Sequence, residues 1–172
     1  GIPSVIFGLF GMTIIVPFVR DYVSPTGVGY GILSASLVLG IMILPTIVSV
    51  SLDSLNSVSN TYYEGALALG ATKEQATFKI MLPAAKSGIA AAVVLGVGRA
   101  IGEAMAVMMV AGNVANMPSL FESVRFLTTA VASEMAYSSP DSLQRNALFS
   151  IALVLFLFIM LTGATLNFFL KR

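Results

Sequence analysis

The 172-residue chain contains no cysteine and no histidine, and only 10% of its residues are charged. Without cysteine there are no disulfides, thiolate metal sites or thiol nucleophiles; without histidine the commonest general base and metal ligand is gone. An enzyme acting on a bound substrate is therefore a remote reading. The scarcity of charge excludes an ordinary soluble domain, which must cover its surface with charged side chains, whereas helices in lipid can be apolar on all faces. A net charge of +1 leaves no basic footprint for nucleic acid. What is abundant is apolar: 57% of the residues are hydrophobic, which places the chain among all-α, polytopic membrane proteins. It opens at Gly1, already apolar and without a basic n-region. That opening predicts a missing N-terminal part rather than a signal peptide.

Crossing a bilayer as a helix takes about 20 mostly apolar residues. Four stretches qualify, predicting membrane helices over about 2–19, 30–50, 84–111 and 147–170. The first ends at Arg20-Asp21, before the turn residues Ser24-Pro25-Thr26-Gly27. The second contains Pro45, which kinks a membrane helix without forbidding it. The last holds the least interrupted apolar run, Ile151 to Leu161, and stops at Lys171-Arg172.

Two polar segments remain. Residues 51–83 carry Lys73 and Lys79, with Lys86 just beyond, and a four-span count puts them on the side of the Lys171-Arg172 tail. The opposite side receives Arg20, Arg125 and Arg145, so the positive-inside rule makes residues 51–83 cytoplasmic and 112–146 external. In the external segment Leu120, Val124, Leu127, Val131 and Met135 recur at helical spacing, predicting an amphipathic helix that covers the outer face of the bundle.

In the cytoplasmic segment Tyr62, Ala66 and Leu69 share a helical face, and Gly70 follows as a left-handed C-terminal cap. Thr72-Lys73-Glu74-Gln75 has the form of a capping box, so a second helix starts there and runs until Pro83 breaks it. Two short helices at an angle form a knob for a socket on a cytoplasmic partner, or an ordinary loop between spans. A DNA-binding helix-turn-helix is discounted, because Lys73 and Lys79 with an opposing Glu74 are no basic stripe and both ends are tethered to lipid.

Glu64-Gly65-Ala66, three residues, Gly70, nine residues and Ile80-x-Leu82-Pro83 resemble the EAA signature of ABC importer permeases. The departure is Gly65 in place of Ala, a small-for-small change that loosens the helix by about 1 kcal/mol. The resemblance implies that residues 57–83 are the coupling loop that docks on an ATPase subunit.

Arg99 and Glu103 sit inside the third stretch, four residues apart, where one helical face would let them pair. Insertion scales put each such charge at roughly +2.5 to +3.5 kcal/mol, so they face a partner, a water-filled cavity or a pathway. Either they are an ion pair that fixes packing, or Arg99 offers a planar donor fork to phosphate-like oxyanions while Glu103 keeps the anion from being trapped. Gly98 and Gly102 repeat at four-residue spacing, and Gly88, Ala92, Gly96 and Ala100 do so on a neighbouring face, as small-residue stripes for close helix packing.

The run from Gly98 to Asn113, with Gly1-Ile2-Pro3-Ser4, Arg125-Phe126-Leu127-Thr128 and Glu134-Met135, resembles phosphate-specific ABC importer permeases, of the C-type rather than the A-type. The resemblance implies the type I importer fold in a bacterial or archaeal cell membrane. It implies a pore shared with an A-type permease, two ATPase subunits below, and a phosphate-binding protein outside. It also assigns phosphate passage to Arg99 and Glu103. No cofactor is expected on this chain, ATP and Mg being used by the partner ATPase, and no nucleic acid is expected. The alternatives are a permease for another oxyanion, molybdate or sulfate, and a non-transporting membrane scaffold or sensor.

Overall fold

The computed structural model describes residues 3–170, so the opening Gly1-Ile2 and the Lys171-Arg172 tail used for orientation lie outside the described residues. Among the described residues the secondary structure is helical: α1 Ser4–Val23, α2 Ile32–Asn56, α3 Asn60–Ala68, α4 Lys73–Ala84, α5 Lys86–Ile101, α6 Met105–Ala111, α7 Leu127–Glu134 and α8 Leu143–Leu170.

Three of these, α1, α2 and α8, are long and apolar enough to cross a membrane. The expected third span is different. α5 has 16 residues, about 24 Å at 1.5 Å per residue, which is short of the ~30 Å hydrocarbon core. It joins α4 at a 66° bend, and the pair counts as a fourth crossing only if taken as one broken span. The other helices extend past their apolar runs. α1 continues through the exposed Arg20–Asp21 pair to Val23, and α2 continues to Asn56.

Proline does not end helices here. Pro83 sits inside α4, and the chain turns only at Ala85. A proline lacks an N–H and its ring crowds the carbonyl four residues back. In α4 that carbonyl belongs to Lys79, inside the wide π turn Thr77–Met81. Pro17 in α1 likewise follows the π turn Gly11–Ile15, which contains Thr13. The wider i→i+5 turn makes room for the ring, so the helix bends its register instead of stopping.

The chain divides into two compact units, residues 1–42 with 99–161, and 43–98 with 162–172. The core of the first is Val16, Ala35, Val38, Ala106, Val107, Val110 and Ala111, with α6 at its centre. Gly8 and Gly11 on α1 let α6 approach: a Cβ at Gly8 would stand 2.6 Å from the Met109 sulfur, and one at Gly11 2.7 Å from Val110 Cγ1. In the second unit α5 packs on the later half of α2 through Gly88, Ala92 and Gly96. Ala92 is fully buried, and a Cβ on Gly96 would meet Ile47 at 2.5 Å. α8 buries little: Phe149, Leu153, Phe156, Leu157 and Met160 are all more than half exposed within the chain, the surface expected of a helix covered by lipid or other helices.

The expected amphipathic helix of residues 112–146 is confined to α7. Residues 112–126 form an irregular loop closed by the Gly112–Val124 bridge and by the Val124 amide donating to Ala111 O at 3.0 Å. Val124 is buried, but Leu120 and Leu127 are exposed. Their helical spacing is coincidental, because the chain between them never closes a helical turn.

Candidate functional site

Arg99 and Glu103 do not lie on one continuous helix. α5 ends at Ile101, Gly102–Ala104 is non-helical, and α6 begins at Met105. A glycine inside a helix costs about 1 kcal/mol relative to alanine, and Gly102 stands at the break. Arg99 is exposed in the last turn of α5, where a cation complements the carbonyl end of the helix dipole. Glu103 is half-buried just ahead of α6, and its Oε1 accepts from the Ala106 amide at 3.2 Å, so the carboxylate complements the opposite, amide end. The two charges therefore flank the break, Arg99 at the carbonyl end of α5 and Glu103 at the amide end of α6, rather than lying on one continuous helix. A broken helix in a membrane holds unpaired backbone polar groups, and such breaks are stable where they are buried in protein or line a water-filled cavity.

Gly98 and Gly102 are both exposed within the chain, and a Cβ at Gly98 would meet nothing within 4 Å. The intrachain close approach uses the neighbouring stripe instead, Gly88 against Ser54 and Gly96 against Ile47.

The break is tied to the loop and helix that follow α6. Gly112 caps α6 with φ +85°, where any Cβ would also collide with the Ser123 side chain. The Thr128 hydroxyl of α7 donates to Glu103 O at 3.2 Å. Arg125 donates from Nε and Nη2 to Asn113 O at 3.3 and 3.2 Å, and from Nη1 to the Glu134 carboxylate. Beside it lies a cavity of about 440 Å³ lined by Asn116, Met117, Arg125, Phe126 and Ile151 among others. The sequence carries Arg125, Thr128 and Glu134 in a family resemblance, and Arg125 in the charge bias, but no local pattern points to their bonding roles, because their partners are between nine and 25 residues away.

The second locus is the knob. Ser59 caps α3 by accepting from the Thr61 amide at 3.4 Å. At the other end Gly70, at φ +86°, donates to Leu67 O at 2.9 Å and Ala71 donates to Ala66 O at 3.1 Å, the pair of bonds of a Schellman motif. The capping box of α4 forms as expected, Gln75 N donating to Thr72 Oγ1 at 3.2 Å and Thr72 N to Gln75 Oε1 at 3.1 Å. Ala76 and Met81 face inward, while Glu64, Gly65, Gly70, Ile80, Leu82 and Pro83 are exposed and Ala66 is half-buried. A groove of about 260 Å³ runs between the two helices, lined by Ala66, Leu69, Ala71, Gln75, Lys79 and Ile80. Leu69 is 91% and Phe78 68% exposed.

The whole chain, residues 1–172, matches the family described as binding-protein-dependent transport system inner membrane component. It is 45% identical, over 94% of its length, to the Bacillus subtilis (strain 168) protein named "Probable ABC transporter permease protein YqgH", of which it covers 53%. It is 35% identical to the phosphate transport system permease proteins PstC of Pasteurella multocida and Haemophilus influenzae, over 91% and 90% of this chain and 54% and 55% of theirs. The chain thus spans about half the length of these curated relatives. No solved structure matches it. The helical architecture, the EAA-like knob and a match over the full length agree: this chain belongs to the family of binding-protein-dependent transport system inner membrane components.

Proposed function

We propose that this chain is part of the C-type permease subunit of an ATP-driven phosphate importer and forms the membrane pathway together with an A-type permease. The observation that carries the reading is the exposed knob from Glu64 to Pro83, whose two capped helices leave Glu64, Gly65, Gly70, Ile80, Leu82 and Pro83 on its surface. Such a rigid, two-sided projection with a groove between its helices suits docking on an ATPase subunit. ATP and Mg then belong to that partner, and this chain transports without catalysing a reaction itself. The remaining partners are an A-type permease, a second ATPase subunit and an external phosphate-binding protein, with the exposed Gly98 and Gly102 available to pack on the A-type subunit. In a bacterial or archaeal inner membrane, residues 51–83 face the cytoplasm and 112–146 the outside.

Phosphate as cargo is supported by the relatives named as phosphate transport permeases and by the chemistry of the break. Glu103 caps the amide end of α6, and Arg99, exposed at the carbonyl end of α5, is the cationic group of the break that an oxyanion would meet. Its planar fork suits phosphate oxygens, and the nearby carboxylate keeps binding weak enough for release. The test is uptake of labelled phosphate by the complete complex in vesicles, with sulfate and molybdate as competitors. ATP-dependent uptake that neither competitor suppresses is expected. Uptake abolished by excess sulfate or molybdate would reassign the cargo, and no ATP-dependent uptake at all would refute the transport reading.

A further inference from the structure

We infer that α7 is a brace for the helix break, with Thr128, Arg125 and Glu134 as positioning residues that hold the Gly102–Ala104 backbone, and with it Glu103, in its non-helical geometry. The inference rests on the reading of Arg99 and Glu103 as part of the path. In an unbroken helix the carbonyl of residue 103 would accept from the amide of residue 107. Here it accepts the Thr128 hydroxyl at 3.2 Å, while the Glu103 side chain takes the Ala106 amide at 3.2 Å. Both ends of Glu103 are thereby committed. If the hydroxyl were lost, the half-buried carbonyl would lose its protein donor, and the nearest protein remedy would be to close the helical register across the break. Closing it would rotate Glu103 to another face.

α7 is in turn held at both ends. Its start is fixed by Phe126 N donating to Thr129 Oγ1 at 3.1 Å, with Thr129 fully buried. Its far end is fixed through Glu134, which accepts from Arg125 Nη1 and, at 3.3 Å, from Gln144 Nε2. Arg125 also holds Asn113 O, one residue past the Gly112 cap of α6. The brace therefore ties Glu103, two residues before α6, to Asn113, one residue after its cap. Between them Ala106, Val107, Val110 and Ala111 are buried in the core, so α6 cannot slide along its axis without breaking both ties.

The test uses the complete permease complex in vesicles and the variants Thr128→Val, which keeps the shape but loses the donor, Thr128→Ser, which keeps the donor, and Glu134→Gln. These 172 residues have no native cysteine, so a nitroxide on Ala104→Cys, in an otherwise cysteine-free complex, reports the mobility of the break without reference to transport. Thr128→Val is expected to lower phosphate uptake about fivefold, the factor one net hydrogen bond is worth, with ATP hydrolysis and complex yield unchanged, and to broaden the nitroxide spectrum as the helical register closes over residue 104. Thr128→Ser should stay within twofold of the parent, and Glu134→Gln should shift both readouts in the direction of Thr128→Val. Parent-like uptake and an unchanged spectrum in Thr128→Val overturn the brace, as does failure of Thr128→Ser to retain function. If the parent complex moves no phosphate, the transport reading falls and the spectrum alone decides the brace. If Thr128→Val does not assemble, the Glu134→Gln spectrum decides it, an unchanged line shape counting against.

Discussion

Replacing Gly70 separates backbone strain from side-chain crowding with unusual cleanness. The residue holds φ +86°, and a Cβ built on it would meet nothing within 4 Å. Any cost of substitution is therefore conformational. A left-handed conformation costs an ordinary L-residue roughly 1–2 kcal/mol, most for β-branched side chains and least for asparagine. The alternative, leaving the left-handed region, forfeits the Gly70–Leu67 and Ala71–Ala66 hydrogen bonds, each worth about 0.5–1.5 kcal/mol net. The left-handed route, no costlier than the loss of both bonds at about 1–3 kcal/mol, places Gly70→Val at about 1–2 kcal/mol, Gly70→Ala near the lower end, and Gly70→Asn at a few tenths. If docking of the ATPase requires the native turn, 1–2 kcal/mol weakens it about five- to thirtyfold at 1.4 kcal/mol per decade. The measurement is ATPase binding to the detergent-extracted permease complex, beside the yield of that complex. The order Gly, Asn, Ala, Val in binding, with equal yields, is expected. Equal binding across the series, or Gly70→Val coupling ATP hydrolysis to uptake at the full rate, would refute the assignment of this turn to the dock.

Replacing both Arg99 and Glu103, by Leu and Gln, should leave an assembled complex that hydrolyses ATP but moves no phosphate, with Arg99→Lys partly active because a point charge keeps attraction and loses the fork; full uptake by the double variant would leave the pair as bundle packing only. Cysteines at Lys79 and Glu122 probe orientation with an impermeant thiol reagent on intact cells: labelling at 122 and not at 79 is expected, and the opposite pattern reverses the topology. Gly96→Val drives a methyl-bearing side chain into Ile47, 2.5 Å from the ideal Cβ position, and overpacking of this kind costs about 1–3 kcal/mol, read as reduced yield of the extracted chain. Gly98→Val meets no intrachain neighbour, so it should spare the chain and impair only its pairing with the A-type subunit; an equal loss of chain yield in both variants would show that Gly98 has no separate surface role.

Much of this protein is local and therefore legible in its residues. Three long apolar runs became α1, α2 and α8, because in lipid a backbone of that composition must satisfy its own hydrogen bonds as helix. The Gly70 cap and the Thr72–Gln75 box formed where the spacing put them, since both are closed by residues within five positions of each other. Other features depend on partners far away in sequence. The stretch 84–111 reads as one apolar span, yet it divides at Gly102, where Thr128 from α7 supplies the hydrogen bond that an unbroken helix would have made for itself. Leu120 to Met135 has a helix's period without being one helix, because closure of the loop onto Ala111 and Gly112 wins over local propensity. Pro83 carries a breaker's signal, but a π turn absorbs it and the bend moves to Ala85. Composition and short-range spacing determined the membrane class, the helix-forming runs and the capped knob. Tertiary structure alone decided which glycine stripe packs, where the third helix breaks and what holds Glu103 there, because those outcomes turn on contacts between segments that no local pattern encodes.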